Sequence, residues 1–359
     1  MRVAHVMASY EMGGGEMVAL RLARQQKKDG WPVMALGLSA TGPLRARFAE
    51  AEIPAEVVAK GDAFDGSLFV RLALHFWRRR VELVHTHNPQ ALIYAAPAAR
   101  LVGAKVVHTK HGEAMDLGRR MWLRRGAARF VHAFVSVSER TESFAREQKE
   151  APLARLAVID NGVDIERYAP TKERRAQARK RLGFAEGVPV VGSVGRLQEV
   201  KDHALLLRAV ARCPNATQLV LVGDGPERGP LTELAEALGI APRVHLLGHR
   251  DDVEDLYPAF DLFAMSSRTE GLPLVMVEAM ASEVAVVSTA VGGIPAVLGE
   301  GVGELVPAGD EEALANTLQA LLADVVRRKR LALAGRARVL ERYSLQKMAQ
   351  RYADLYARL

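Results

Sequence analysis

One carboxylate stands where a charge is costly. In the stretch Glu270-Gly271-Leu272-Pro273-Leu274-Val-Met-Val-Glu278-Ala-Met-Ala281, every residue from Leu274 to Ala281 is apolar except Glu278. A helix that is apolar all round is buried, so this sequence predicts an interior carboxylate behind a proline suited to a first helical turn. Burying such a charge costs several kcal/mol unless it is hydrogen-bonded, and nothing nearby in the sequence offers a partner. A ligand with vicinal hydroxyls, such as a ribose, would supply two donors; a buried ion pair is the alternative. Glu270 precedes the helix, close to its free N–H groups. There it could face ligand hydroxyls or serve as a helix-dipole carboxylate.

Two cations follow a predicted strand in Val190-Val-Gly-Ser-Val194-Gly195-Arg196-Leu-Gln-Glu-Val-Lys201. A planar guanidinium and a point ammonium at a strand end could together hold a diphosphate, or could be two solvated cations. A second Gly-rich turn, Gly13-Gly14-Gly15-Glu16, lies between a strand and a helix. Glycines admit a ligand close to the backbone, and the helix start favours a phosphate; a tight structural turn is the alternative. The pattern is not G-x-G-x-x-G, so no dinucleotide fingerprint is present. His85, His87, His108 and His111 fall at two successive strand ends. A zinc site is one reading, but no Cys, Asp or Glu completes a ligand set in this stretch, and histidines at adjacent strand ends more often line a cleft. His111-Gly112 ends a strand where a catalytic loop would begin, whereas His108 reads as core. Finally, Arg119, Arg120, Arg124, Arg125 and Arg129 surround Trp122 and Phe130. Spacing by four stacks these cations along a helix, as at an anionic membrane surface or on an ordinary solvated face.

Short apolar, β-branched runs must position these residues. They occur at 2–8, 32–37, 55–58, 82–86, 105–109, 133–137 and 156–159, then at 188–194, 217–222, 243–247, 261–265, 284–288 and 302–306. Helical patterns separate most of them, which predicts parallel, doubly wound sheets. Thirteen strands are too many for one sheet in 359 residues, so two sheets are expected. Asp160-Asn161-Gly162-Val163-Asp164 reads as the turn between halves, and the chain is helical from Asp310 almost to its end.

The composition, 49% hydrophobic and 25% charged, excludes disorder, and the single Cys213 excludes an internal disulfide and fits a reducing cytosol. Met1–Ser9 is too short an apolar stretch to read as a signal peptide. Residues 1–165 hold 24 Lys+Arg against 17 Asp+Glu, so this half carries the whole +7 surplus. A one-sided field suits an anionic partner or simple solubility. No nucleic-acid module is visible.

Taken in order, these blocks resemble the retaining glycosyltransferases of family 4. Glu270-x7-Glu278 is similar to their E-x7-E signature. The Gly13–Glu16, Asn161–Asp164, Gly195–Lys201, Gly223-Asp-Gly-Pro226 and Val291-Gly-Gly-Ile-Pro295 blocks match further family blocks along nearly the whole chain. The resemblance implies an α/β GT-B architecture, two Rossmann-like domains facing across a cleft. An acceptor domain would span 1–165 and a nucleotide-sugar donor domain 166–343, with helix 344–359 packing back on the first. It implies that Glu278 holds the ribose, while Glu270 and the backbone of Gly271, Leu272, Pro273 and Leu274 hold the donor sugar and phosphates. Arg196 and Lys201, beside Gly195, would neutralise the leaving group, His111 would touch the sugar, and Gly14 and Gly15 would approach the phosphates. Ala296 after Pro295 departs from the family's usual Glu, and Lys110 before His111 is less usual.

The chemistry then needs no metal or other cofactor, because fixed cations and helix ends stabilise the departing diphosphate. No carboxylate pair is assignable as nucleophile and acid, so double displacement is unsupported, and the resemblance implies retention by same-face attack. The expected partners are a nucleotide-diphosphate sugar (UDP- or GDP-linked) and a glycan or glycolipid acceptor, with the basic first half pointing to a lipid-linked or lipopolysaccharide-type acceptor and Arg119, Arg120, Trp122, Arg124 and Arg125 at acceptor or membrane. The expected location is cytoplasmic, peripheral on the inner face of the membrane. A nucleotide-sugar epimerase on the same fold, or a non-catalytic sugar-nucleotide-binding protein, are the competing readings.

Overall fold

The computed structural model describes residues 1–61, 63–112 and 119–359, with the side chains of Arg119 and Arg120 also left aside. The chain divides into two compact units, Met1–Gly162 with Leu345–Leu359, and Val163–Ser344.

The first unit carries strands β1 (Val3–Met7), β2 (Val33–Gly37), β3 (Ala55–Val57), β4 (Leu83–Thr86), β5 (Lys105–Lys110), β6 (Ala133–Ser136) and β7 (Leu156–Val158). All pair in parallel, in the order β3-β2-β1-β4-β5-β6-β7. Its helices are α1 (Gly14–Lys28), α2 (Leu44–Glu50), α3 (Ser67–Arg78), α4 (Pro89–Leu101), α5 (Arg119–Ala127) and α6 (Glu139–Glu147). β1 is buried along its whole length, as a strand with helices on both faces must be.

The second unit carries helices α7 (Lys172–Leu182), α8 (His203–Ala211), α9 (Arg228–Ala237), α10 (Leu274–Ala281), α11 (Ile294–Val302), α12 (Glu311–Ala323) and α13 (Val325–Arg342). Its strands are β8 (Val190–Val194), β9 (Gln218–Val222), β10 (Val244–Leu246), β11 (Leu262–Met265), β12 (Ala285–Thr289) and β13 (Glu304–Val306), ordered β10-β9-β8-β11-β12-β13 and again parallel. The last helix, α14 (Leu345–Ala357), belongs to the first unit and packs on α1. Both units are thus Rossmann-like, the α/β plan the resemblance implied.

In each sheet the winding reverses once, between β1 and β4 and between β8 and β11. Reversal opens a crevice at the carboxyl ends of the two strands, where open α/β sheets hold ligands. The loops after these strands carry most of the residues singled out above. Among the described residues, no helix is long and apolar enough to cross a membrane.

Candidate functional site

In the second unit, the loops after β8 and β11 meet. Lys201 Nζ donates to Glu270 Oε1 at 2.5 Å, and Ser267 Oγ donates to the same oxygen at 2.7 Å. Asp202, in a left-handed conformation (φ 48°), caps α8 and accepts from Arg268 Nε at 2.9 Å. Ser266 Oγ donates to the carbonyl of Asp202 at 2.8 Å. These bonds join segments more than 60 residues apart in sequence and fix Lys201 against Glu270. The backbone beneath is equally constrained: Gly293 N–H donates to Gly271 O at 2.9 Å, and a Cβ on Gly292 (φ +56°) would lie 1.7 Å from Glu270 O. Only glycine fits there. Arg196 is exposed just past β8, after Gly195.

The Lys201–Glu270 pair changes the sequence expectation, in which the two side chains faced a ligand separately. The ammonium is instead held by the carboxylate, so Glu270 positions a cation. Leu272 is buried, and Pro273 is extended (ψ 113°) and precedes the helix rather than opening it. No side chain among the described residues caps α10; Met276 N–H turns back to Pro273 O at 3.2 Å, and the N–H groups of Leu274 and Val275 are left for solvent or a ligand.

Glu278 is buried as expected, at 5% exposure, and the partner that its sequence neighbourhood lacks comes from farther away in the chain. Tyr257 Oη lies 3.0 Å from Glu278 Oε2 and 3.1 Å from Val275 O. The phenol comes from a segment 21 residues upstream, beyond the reach of any local pattern.

In the first unit, the carboxyl ends of β1, β4 and β5 bring histidines together. His5, absent from the sequence reading, pairs in register with His85 on the neighbouring strand. His5 Nε2 bonds Gln26 Oε1 at 2.8 Å, and His5 Nδ1 bonds His87 Nε2 at 2.9 Å. His87 Nδ1 bonds His111 Nε2 at 3.2 Å. His85 is held between Thr109 Oγ1 and Tyr356 Oη, each at 2.7 Å, so α14 closes the cluster from its side. Burial lowers the pKa of His5 and of His111 to about 4, and holds His85, His87 and His108 well below the usual histidine value. His108 packs on Phe134, with ring centroids 4.9 Å apart, as a core residue.

The ring nitrogens of His5, His85 and His87 lie close enough to hold a metal ion. Yet all six already have hydrogen-bond partners, which a metal would have to displace. The group is built as a hydrogen-bonded cluster.

A cavity of about 210 Å³ opens beside it, lined among others by Gly15, His87, Lys110, His111 and Glu150. Gly15 has a nearer reason to be glycine than the phosphate approach expected of it. A Cβ there would sit 2.8 Å from His111 Cδ2, whereas Gly14 faces open space.

These units also match known sequence families. The family described as "Glycosyltransferase Family 4" matches residues 12–167, and "Glycosyl transferases group 1" matches residues 174–338. D-inositol 3-phosphate glycosyltransferase from Salinispora tropica is 34% identical over 349 residues, covering 88% of this chain and 70% of that protein. The chain belongs to this glycosyltransferase family. A D-inositol 3-phosphate glycosyltransferase from Corynebacterium urealyticum is 38% identical over 57% of this chain, and the chain spans only 52% of that relative's length. Anabaena HepE, solved with UDP-glucose, is 25% identical with a TM-score of 0.88 over 100% of both chains.

The segment expected to meet acceptor or membrane is built differently from that expectation. Arg124 is buried at 3% exposure and donates to Glu150 Oε1 at 2.7 Å. Lys110 Nζ reaches the same oxygen at 3.1 Å, which accounts for this unusual lysine as one member of a buried ion cluster. Arg125 donates to Gln148 O, and Arg129 lies beyond α5 in a short 3-10 turn. Arg120 and Arg124 are four residues apart in sequence, but tertiary pairing takes Arg124 inward. The exposed side chains of α5 include Trp122 and Leu123, at 70% and 37% exposure, with Arg125 6.0 Å from the Trp122 ring. The side chains of Arg119 and Arg120 lie outside the described residues.

Proposed function

We propose that this chain transfers a sugar, with retention of configuration, from a nucleotide-diphosphate sugar to an acceptor hydroxyl. The observation that carries the reading is Lys201 fixed on Glu270 beside the uncapped start of α10, with Glu278 buried farther along the same helix. An ammonium, exposed Arg196 and free helix N–H groups make a cradle for a diphosphate as negative charge develops on it. Glu278, oriented by Tyr257, accepts from the ribose hydroxyls. Gly195, Gly271 and the backbone to Leu274 line the donor, in a second unit acting as the donor domain. The first unit is the acceptor domain, and His111 meets a hydroxyl of the sugar.

The acceptor hydroxyl attacks the face that the diphosphate leaves. The leaving oxygen, made more basic as the bond breaks, takes the acceptor's proton, so neither a protein nucleophile nor a metal is required. A UDP-sugar is the donor to try first, given the UDP-glucose complex of HepE. A glycan, polyol phosphate or glycolipid is the acceptor class, consistent with the inositol-phosphate relatives. Exposed Trp122 and Leu123 on a basic helix favour an acceptor presented at an anionic membrane surface.

Acceptor-dependent release of nucleoside diphosphate, with the product anomer read by NMR, tests the assignment. Lys201→Ala should lower kcat by roughly 10²–10³-fold, and activity should survive EDTA. Release without transfer, interconversion of the sugar alone, or an inverted product would refute it.

A further inference from the structure

The hydrogen bonds from Gln26 to His111 run through rings that each carry one proton, and this fixes every proton's position. With Gln26 Oε1 turned toward His5 Nε2, an orientation that leaves Gln26 Nε2 buried without a partner among the described residues, His5 Nε2 holds the proton and His5 Nδ1 accepts. His87 Nε2–H then donates to His5 Nδ1, which leaves His87 Nδ1 as an acceptor. His111 Nε2–H must donate to His87 Nδ1, and His111 Nδ1 is left with a lone pair. That nitrogen is buried and has no partner among the described residues. Leaving a buried polar atom unpaired costs about 1–3 kcal/mol, which a ligand can recover. His111 and His87 both line the cavity beside Gly15.

We propose that Gln26, His5 and His87 are positioning residues that lock His111 in the neutral Nε2–H tautomer, so that its Nδ1 accepts a hydrogen bond from a hydroxyl of the bound sugar or acceptor. The lock stands on the hydrogen-bond geometry together with the burial that keeps the rings neutral; the identity of the hydroxyl rests on the glycosyltransfer reading. The whole direction hangs on Gln26. Turning its amide over would reverse every donor in the series and make His111 Nδ1 a donor, which would give its hydrogen to a lone pair of the hydroxyl oxygen instead of accepting the hydroxyl's hydrogen. Burial keeps the three rings neutral near neutral pH, so each has one proton to place.

Long-range ¹⁵N–¹H spectra of the full chain, without ligand, distinguish protonated from bare ring nitrogens. The wild-type protein should show His111 with Nε2 protonated and Nδ1 bare. A protonated Nδ1 would overturn the lock whatever the enzyme transfers, and the wild-type spectrum needs no variant to fold. Gln26→Met removes the terminal acceptor at similar length. It should give His111 a mixture of tautomers and lower kcat/KM several-fold, with the Kd for nucleotide alone unchanged. A single unchanged tautomer in Gln26→Met would remove Gln26 from the device. A changed tautomer with unchanged turnover would overturn the role of Nδ1 as acceptor. A bare Nδ1 in a protein that transfers no sugar would sink the functional reading and leave the lock standing.

Discussion

Acidification should unfold the first unit well before ordinary acid denaturation. Five of its histidines, His5, His85, His87, His108 and His111, are held neutral by burial, two with pKa values of about 4 and three well below the usual value. In the unfolded chain each returns to a pKa near 6.5. Below that value the unfolded state binds protons that the folded state refuses, so stability is full above about pH 6.5 and falls as pH drops toward 4. At pH 5.5, about one unit below the unfolded value, the loss is roughly 1 kcal/mol for each ring and several kcal/mol for the cluster together. A typical domain has only about 5–15 kcal/mol to lose. All three tryptophans, Trp31, Trp77 and Trp122, lie in this unit, so intrinsic fluorescence reports its unfolding separately. In urea, the fluorescence midpoint should fall by about 2–3 M between pH 7.5 and 5.5. An unchanged midpoint would mean that these rings are charged in the fold or hydrated, and the neutral cluster would be wrong.

Gly15→Ala should cripple turnover without touching the second unit, because its Cβ would lie 2.8 Å from His111 Cδ2 and push the ring aside. A loss of roughly 10²-fold in kcat/KM is expected, with nucleotide affinity by calorimetry unchanged; wild-type turnover would show that the ring's place does not matter. Arg124→Glu should lower stability by about 3–5 kcal/mol, since it sets a second carboxylate against buried Glu150. A melting temperature equal to that of the wild type would return Arg124 to the surface.

The elements were legible because both sheets are parallel and buried. A strand covered on both faces must be continuously apolar, and all thirteen such runs in the sequence are strands, with ends shifted by a residue or two. The helix from Leu274 to Ala281 was legible for a related reason, since only burial tolerates so apolar a turn of chain. The partners were not. Glu278 has Tyr257, Arg124 has Glu150, and Gly15 has His111, at sequence distances of 21, 26 and 96 residues. Each pairing is made by strand order, and strand order leaves no mark in local periodicity.

His5 shows what that costs a reading made along the chain. It stands alone among apolar residues, so nothing in its neighbourhood marks it out. Its meaning comes from β1 lying beside β4, which sets it in register with His85 and within reach of His87. The histidines that sequence did single out, at the ends of β4 and β5, are therefore only part of the group. Its inner end is a glutamine on α1, and its outer end is the ring that meets the cavity. A device of this kind is spread over three elements of one sheet and one helix, so the same crossover that hides it from the sequence also makes it rigid. That rigidity is what a hydrogen-bond acceptor needs if it is to choose one hydroxyl among several.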